Sequence, residues 1–217
     1  MVSTDPDTSN LPRRRHPKAT RLDWLTSARD ILVSEGVAEV KVLTLSARLG
    51  ISRSSFYWYF ESRADLLNAL LHEWEARNTQ GIVQKCGLPA ECIAEAVCNF
   101  FACFFDPELF DPGLDFAVRE WARRDGDVRA KIDEADGVRL VALRDLFVRH
   151  GYAADDADVR ARIVYYMQLG YHALDVRETM DVRMARIAGY LDGFTGQSPS
   201  PETVSRFQQQ AMALQRS

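Results

Sequence analysis

Apolar side chains recur every three to four residues along most of the sequence, which is the spacing of amphipathic helices. Near the start, this spacing predicts a helix from about Leu22 to Glu35 that ends at Gly36. Its inward positions would be Leu25, Ala28, Ile31 and Leu32. No stretch alternates apolar and polar residues as a half-buried strand does, so the pattern predicts an all-α protein.

Beyond residue 87 the same spacing predicts a larger helical body. Its helices are expected from about Ala90 to Phe105, then up to Arg124, from about Val128 to His150 with Gly151 after it, from Val159 to Leu174, and from about Asp181 to Phe194. The acidic run from Asp155 to Asp158 is expected to be a loop, and the last twenty residues a loose final helix.

The segment from Leu45 to Arg63 has the most informative pattern. A short apolar turn reaches Gly50, and a second segment that begins at Ser52 spaces its aromatic residues three to four positions apart. Glycine accommodates positive φ at a tight turn, and a serine at a helix start can accept a hydrogen bond from a free main-chain N–H group. Two short helices joined by a tight turn are therefore predicted.

A further helix is expected to begin at Ser62, with Asp65 completing an approximate capping box, and to continue toward Gln84. If Phe56 and Phe60 face inward, five residues of the preceding helix point outward: Arg53, Ser54, Ser55, Tyr57 and Trp58. Donors, small hydroxyls and flat aromatic rings at one helix end suit the major groove of DNA. A solvated helix in an unrelated bundle would have the same spacing.

The run GISRSSFYWYFESRADLL resembles the signature of the TetR family, in which a glycine turn precedes a recognition helix that ends in an aromatic box. The resemblance covers about Leu22 to Trp74. Two positions depart from the family pattern: Lys41 or Val42 stands where the family often has Ser or Thr, and Ser46 replaces the usual alanine. The resemblance implies a homodimeric transcription factor, similar to TetR repressors, that releases DNA when an apolar or amphipathic effector binds the body.

The resemblance also divides the chain into three parts. Residues 1–18 would be a disordered basic arm, residues 19–79 a helix-turn-helix DNA-binding domain with a three-helix core, and residues 80–217 a helical domain for effector binding and dimerisation. Residues expected to contact base edges or adjoining phosphates are Arg53, Ser54, Ser55, Tyr57 and Trp58. Residues expected to hold the DNA backbone are Thr44, Arg48, Tyr59 and Arg63.

The charge distribution supports a nucleic-acid partner although the net charge of −4 does not. The segment from Leu11 to Arg63 contains ten Lys or Arg residues and five acidic residues, so it carries a net charge of +5 and the rest of the chain −9. A basic end on an acidic body can approach phosphates in one orientation. The basic arm at Arg13, Arg14, Arg15 and Lys18 is either a solubilising tail or an arm along the minor groove or the DNA backbone.

Large side chains of the body could line an effector site, because such sites are mostly apolar with a few polar groups. The candidates are Phe101, Phe104, Phe105, Trp121, Tyr165, Tyr166 and Met167. An aromatic stripe at helical spacing is more often part of a core than of a pocket, so the alternative for each of them is a core residue.

A dimer interface is expected on the last two predicted core helices, where apolar residues are spaced four, three, four. The seam comprises Ile163, Met167, Gly170, Leu174, Met184, Ile187 and Leu191. Such seams can pair with a twofold copy as a four-helix bundle, although packing within one chain explains them as well. A single recognition helix contacts few base pairs, which favours a dimer.

Other function classes have little support in the sequence. There is no G-x-S-x-G, phosphate loop, dinucleotide fingerprint or H-x-x-x-H pair, so no enzyme, cofactor or metal is expected. Cys86, Cys92, Cys98 and Cys103 lack paired C-x-x-C spacing and are expected to be small buried side chains. No apolar run approaches the roughly 20 residues that span a bilayer, and the amino terminus is polar and charged, unlike a signal peptide; this predicts a cytoplasmic protein without a membrane partner.

Two alternatives remain at the sequence level. The first is a helical ligand carrier or protein-interaction module that does not bind DNA. The second is an enzyme with a site near Glu120 and His172.

Overall fold

The computed structural model describes residues 19–214, and every regular element within that range is helical. The α-helices are α1 Arg21–Glu35, α2 Val42–Leu49, α3 Arg63–Trp74, α4 Gln80–Cys86, α5 Ile93–Ala102, α6 Pro112–Ala122, α7 Gly126–Arg149, α8 Ala154–Ala173, α9 Met180–Ala185, α10 Ile187–Thr195 and α11 Pro201–Leu214. Short 3₁₀ helices occupy Val37–Glu39, Arg53–Trp58 and Cys103–Phe105, and a π-helical turn occupies Glu75–Thr79. The all-α fold expected from the sequence is confirmed; the basic arm with Arg13, Arg14, Arg15 and Lys18 lies outside the described residues.

Helix α1 begins and ends where the sequence predicts. Thr20 and Asp23 form a reciprocal capping box, and Gly36 ends the helix with a φ of 85°. The four predicted inward residues are buried, and Trp24 is buried with them. Trp24 was not among the inward residues predicted from the sequence.

The predicted helix from Ser62 toward Gln84 is interrupted. Helix α3 begins after Ser62, whose hydroxyl accepts a hydrogen bond from the Asp65 N–H, and a π-helical turn then separates α3 from α4. Within this wider turn the Asn78 side chain donates to the Asp111 carbonyl oxygen at 2.8 Å and accepts from the Asp111 N–H at 3.1 Å. The π-helical turn therefore directs polar side chains toward the loop before α6.

The buried side chains form two hydrophobic cores. The amino-terminal core contains α1, α2, the Arg53–Trp58 helix and α3, together with the inner face of α6 and the first part of α7. The carboxy-terminal core contains α4, α5, the rest of α7 and the helices α8 to α11. Helix α6 therefore buries its apolar side chains in the core of the helix-turn-helix elements, although it follows α5 in the chain, and it also packs against α7 and α8.

Two predicted boundaries in the body are corrected. The acidic run from Asp155 to Asp158 is helical, because α8 begins at Ala154 and acidic side chains in a first turn complement the helix dipole. The helix expected from Asp181 to Phe194 is divided into α9 and α10 at Arg186. The final helix α11 is confirmed, and its Phe207 and Ala211 are buried in the carboxy-terminal core.

A buried ionic network, which we call the junction network, connects α6, α7 and α8 and comprises Asp115, Arg119, Asp136, Arg139 and Tyr165. Arg139 is fully buried, and its Nη1 donates to Asp115 Oδ1 at 3.0 Å and to the Tyr165 hydroxyl at 3.2 Å. Arg119 donates to Asp115 Oδ2 at 2.8 Å and to both carboxylate oxygens of Asp136. The Tyr165 hydroxyl donates to Asp136 Oδ1 at 2.6 Å.

The junction network also reaches the end of the helix-turn-helix region. Trp74 Nε1 donates to Asp115 Oδ1 at 2.8 Å, and Arg139 Nε donates to Thr79 Oγ1 at 3.1 Å. The Arg139 guanidinium lies 5.2 Å from the Trp74 ring centroid. Burial alone would raise the pKa of Asp115, but the charges of Arg139 and Arg119 and hydrogen bonds from Arg119 and Trp74 hold that pKa below its usual value. The carboxylate is thus charged and paired where the two cores meet.

The cysteines only partly match the expectation. Cys86, Cys98 and Cys103 are buried, and burial raises the pKa of the Cys98 and Cys103 thiols to about 12. Cys92 is exposed, because it is the residue immediately before α5 rather than part of its inner face. Within residues 19–214 no helix combines the length and the apolar character that crossing a membrane requires.

Candidate functional site

The Arg53–Trp58 helix, here called the recognition segment, sits on a buried aromatic platform. Gly50 turns the chain after α2 with a φ of 67° and a ψ of 29°. Phe56 and Phe60 are buried and stacked with ring centroids 5.3 Å apart, and Trp24 meets Phe56 edge-on at 5.3 Å. This platform fixes the segment against α1 and leaves its other face outside.

The outer face of the recognition segment carries the residues expected there. Trp58 is 84% exposed and Tyr57 63% exposed, and Arg53 and Ser54 are also exposed. Within the described part of the chain, Arg53 has no side-chain hydrogen bond or ion pair, so its guanidinium donors are free for a partner. Ser55 is half-buried beside them.

Two local expectations for this segment are corrected. The segment is a 3₁₀ helix, with i to i+3 hydrogen bonds such as Ser55 N to Ser52 O at 3.1 Å. The Ser52 side chain makes no capping bond; its hydroxyl instead pairs with the hydroxyls of Ser54 at 2.9 Å and Ser55 at 3.1 Å. Three hydroxyls are therefore clustered at the start of the segment.

The residues expected to hold the DNA backbone surround the recognition segment. Arg48 is exposed, with Asp30 at 3.7 Å, while Thr44 is half-buried and Tyr59 is exposed. Arg63 donates from Nε to the Val40 carbonyl oxygen and from Nη2 to the Val37 carbonyl oxygen, each at 2.6 Å. Arg63 thus holds the connection between α1 and α2, a role that the sequence did not reveal because its partners are main-chain atoms.

A second candidate site is a cleft in the body, which we call the aromatic cleft. It has a free volume of about 40 Å³. The residues that line it are Phe101, Phe105, Met167, Gln168, Tyr171, Glu178, Arg183, Met184, Ile187, Tyr190 and Phe207. They come from α5, α8, α9, α10 and α11 and from the neighbouring loops.

Three of the seven side chains expected at an effector site line the aromatic cleft: Phe101, Phe105 and Met167. The other four lie elsewhere because successive aromatic residues of one helix face different sides. Phe104 packs on Phe110 and His172, and Trp121 belongs to the amino-terminal core. Tyr165 is part of the junction network, whereas Tyr166 is 51% exposed on the outer face of α8.

Sequence reasoning did not identify the polar residues of the aromatic cleft. Gln168 and Tyr171 lie on α8, Glu178 in the loop after it, and Arg183 on α9. Their positions depend on the packing of Arg183 of α9 against Tyr171 of α8, and no local pattern encodes that packing. The signal available in the sequence was the cluster of aromatic residues on α5 and α8.

The seam expected at a dimer interface is divided by the fold. On α8, Ile163 is 50% exposed and Leu174, just after the helix, is 78% exposed, with Met167 and Gly170 half-buried. Met184, Ile187 and Leu191 are instead buried in the carboxy-terminal core. That half of the expected seam is corrected, because its apolar face packs on α5, α8 and α11 of the same chain.

The region near Glu120 and His172 forms a shallow cleft with a free volume of about 200 Å³, also lined by Asp115, Arg119 and Arg123. Burial lowers the pKa of His172 to about 4, with Asp115 opposing and Arg183 reinforcing the shift. His172 is therefore neutral at physiological pH and shares a hydrogen bond with Gln168 at 2.9 Å. No serine, threonine or cysteine is among the residues that line this cleft, and the Asp115 carboxylate in its wall is paired with Arg119 and Arg139.

Solved structures with the same fold cover nearly the whole chain. A TetR-family transcriptional regulator from Marinobacter aquaeolei VT8 aligns with a TM-score of 0.62 and 16% identity, over 90% of this chain and 98% of that chain. Mycobacterium smegmatis AmtR aligns with a TM-score of 0.60 and 14% identity, over 92% of this chain and 97% of that chain. The fatty acid degradation regulator FadR from Bacillus halodurans aligns with a TM-score of 0.58 and 16% identity, over 85% of this chain and 97% of that chain.

The sequence itself matches the family of bacterial regulatory proteins called tetR over residues 25–70, which contain most of α1, all of α2, the recognition segment and the first turns of α3. No curated protein matches the sequence. The matched segment contains the recognition segment together with Phe56 and Phe60 of its platform, and a larger helical region follows it as in the solved regulators. Residues 25–70 of this chain therefore match the tetR family of bacterial regulatory proteins, and the chain shares its fold with solved TetR-family regulators.

Proposed function

We propose that this protein is a homodimeric transcriptional repressor whose two recognition segments bind an operator and separate from it when an effector occupies the aromatic cleft. The main support is the recognition segment, in which Arg53 and Trp58 are unpaired and exposed on a rigid buried platform. Because the platform fixes the backbone that carries them, these side chains can be presented to a major groove without rearrangement of the segment.

Within this proposal the DNA contacts divide into two groups. Arg53, Ser54, Ser55, Tyr57 and Trp58 contact base edges and adjoining phosphates. Thr44, Arg48, Tyr59 and Arg63 surround them and hold the DNA backbone. Arg63 acts chiefly by fixing the α1–α2 connection, since two of its donors are bound to main-chain carbonyl oxygens.

A continuous series of contacts links the aromatic cleft to the DNA-binding end. Gln168 lines the cleft and hydrogen-bonds to His172, whose ring lies 5.8 Å from the Phe110 ring. The Arg139 guanidinium lies 5.8 Å from the same Phe110 ring and pairs with Asp115. A ligand that moves Gln168 would thus disturb the junction network and the tilt of α6, which shares a core with the recognition segment. A coupling free energy of about 1 to 3 kcal/mol is sufficient for such a switch.

Selection of operator sequences from a random DNA pool tests the proposal. If Arg53 makes a bidentate base contact, R53A should lose about 1 to 3 kcal/mol of discrimination at one base pair. R63A should weaken binding to all sequences alike, because the geometry of the segment changes and no single base contact is lost. The control R177A removes one exposed charge from the body and should leave both affinity and selectivity unchanged.

Equal loss of selectivity in R53A and R63A would contradict the division of roles. A gel shift with DNA from around the gene separates the regulator from the alternative of a ligand carrier or interaction module. The carrier would give only weak binding that salt abolishes, whereas the regulator should select one sequence and retain it at moderate salt.

A further inference from the structure

The cation Arg183 stands in the wall of the aromatic cleft between two rings. Its guanidinium carbon lies 4.4 Å from the Tyr171 ring centroid and 5.2 Å from the Phe105 ring centroid. Both rings belong to the cleft lining, so the charge is held beside the apolar space and does not extend freely into solvent. Arg183 itself is half-buried.

The guanidinium donors of Arg183 have no hydrogen-bond acceptor and no ion-pair partner within residues 19–214; the side chain packs against the two rings instead. The one acidic residue of the lining, Glu178, is paired elsewhere: Arg186 donates to its Oε1 at 2.5 Å and the Tyr171 hydroxyl to its Oε2 at 3.5 Å. The cleft therefore contains a carboxylate that is paired with another arginine and a guanidinium that has no acceptor.

The remaining walls define the other half of a ligand. Phe101, Phe207 and Ile187 are apolar and buried, and Met167 and Met184 add flexible side chains that can move to admit a larger group. An apolar body and one anionic group match this distribution of surfaces. A carboxylate could accept two parallel N–H bonds from the fork of the guanidinium.

We propose that the aromatic cleft binds an anionic amphipathic molecule, with its apolar body against the phenylalanine walls and its carboxylate or comparable anion on Arg183. The proposal deepens the proposed function by giving the chemical class of the effector, but the binding itself does not require DNA. The cleft widens on binding, because its free volume of about 40 Å³ is far below the ~300 Å³ or more of typical ligand sites.

Calorimetry on the full-length protein without DNA tests this inference with two pairs of probes of matched shape. The flat pair is 2-naphthoate and 2-naphthamide, and the flexible pair is decanoate and decanamide. The acid of at least one pair should bind about tenfold or more tightly than its amide, because a carboxylate gains charge-assisted hydrogen bonds.

The variant R183Q should lose this preference for the acid, and R183K should retain part of it. The matched control R177Q removes the same charge from an exposed site paired with Asp175 and should keep the full preference. Thermal unfolding of each variant shows whether it is folded. Equal binding of acid and amide, no binding of either pair, or an unchanged preference in folded R183Q would overturn the proposal.

Gel shifts with the same proteins keep this result separate from the proposed function. If the acid binds through Arg183 but operator binding is the same with and without the acid, the ligand class stands and the effector role fails. If the protein binds its operator and discriminates no acid from its amide, the DNA-binding role stands and the ligand class fails.

Discussion

At the scale of single residues, Asp115 is the side chain on which the connection between the two cores most depends. Its carboxylate accepts hydrogen bonds from Trp74, Arg119 and Arg139, and it is almost fully buried. Removing one member of such a group leaves an opposite charge in the interior without a partner, which costs about 3 to 5 kcal/mol. The network is therefore expected to be intolerant of single changes.

We expect D115N to lower the free energy of unfolding at pH 7 by about 3 to 5 kcal/mol, measured by urea denaturation. The pKa of Asp115 is lower in the folded protein than in the unfolded chain. The stability that its carboxylate contributes is therefore fully present above the unfolded pKa and is lost as the pH falls through the folded pKa. The acid-induced loss of stability should consequently be smaller in D115N. D133N is the control, because Asp133 is exposed beside Arg129 and its loss should change little; equal destabilisation by both variants would refute the prediction.

Residue by residue, the sequence was informative where chemistry is local. The buried positions of Phe56 and Phe60 and the outward positions of Arg53 and Trp58 follow from helical spacing around one glycine turn. The interior roles of Arg139 and Asp115 do not follow from spacing. Both residues occur in helices rich in charged residues, and they pair with each other across 24 positions of the sequence. Only tertiary packing distinguishes a buried arginine from its exposed neighbours.

At the scale of elements, the close approach of α4 to the loop before α6 depends on a glycine. A Cβ atom at Gly81 would lie 2.2 Å from the Leu109 carbonyl oxygen, so no side chain fits there without moving main-chain atoms. Gly137 lies in α7 with nothing within 4 Å of the same position. The two glycines therefore form a matched pair of helical sites with opposite packing.

We expect G81A to destabilise the protein by about 1 to 3 kcal/mol, because overpacking forces α4 and the loop apart. G137A should stabilise it by about 0.5 to 1 kcal/mol through the higher helix propensity of alanine. Thermal unfolding of both variants measures these effects. A stabilised G81A would mean that the loop at Leu109 moves away easily.

Element boundaries were predictable where caps are present in the sequence, as at Gly36 and Ser62. The π-helical turn and the break at Arg186 were not, because each forms where side chains of another element pull the backbone from regular geometry. The sequence likewise could not show which part of the expected dimer interface is buried within the chain, because two apolar stripes of equal spacing can each face a partner or the chain's own core.

At the scale of the whole molecule, the proposed dimer interface moves to the exposed apolar stripe on and just beyond α8. The stripe contains Val159, Ile163, Tyr166, Gly170 and Leu174, and four of these are large side chains that are at least half exposed. Burying such a stripe against a twofold copy would remove it from water.

We expect I163E to shift the protein toward monomer in sedimentation velocity experiments, because a charge would be placed in the apolar contact. L22E introduces the same charge at an exposed leucine of α1 and should leave the assembly unchanged. Operator affinity of I163E should fall as well, since two recognition segments joined in one dimer bind far better than two separate ones. An I163E protein with unaltered sedimentation would exclude α8 as the interface.

The inclusion of α6 in the amino-terminal core restricts how this protein can be recombined. A fragment cut after residue 79 would expose to water the surfaces of α1 and α3 that α6 covers, so it would be a poor candidate for independent folding. A chimera that joins the recognition segment and its platform to a different helical body should also include Leu114, Val118 and Trp121. The segments that would have to be transferred together are thus not contiguous in the sequence.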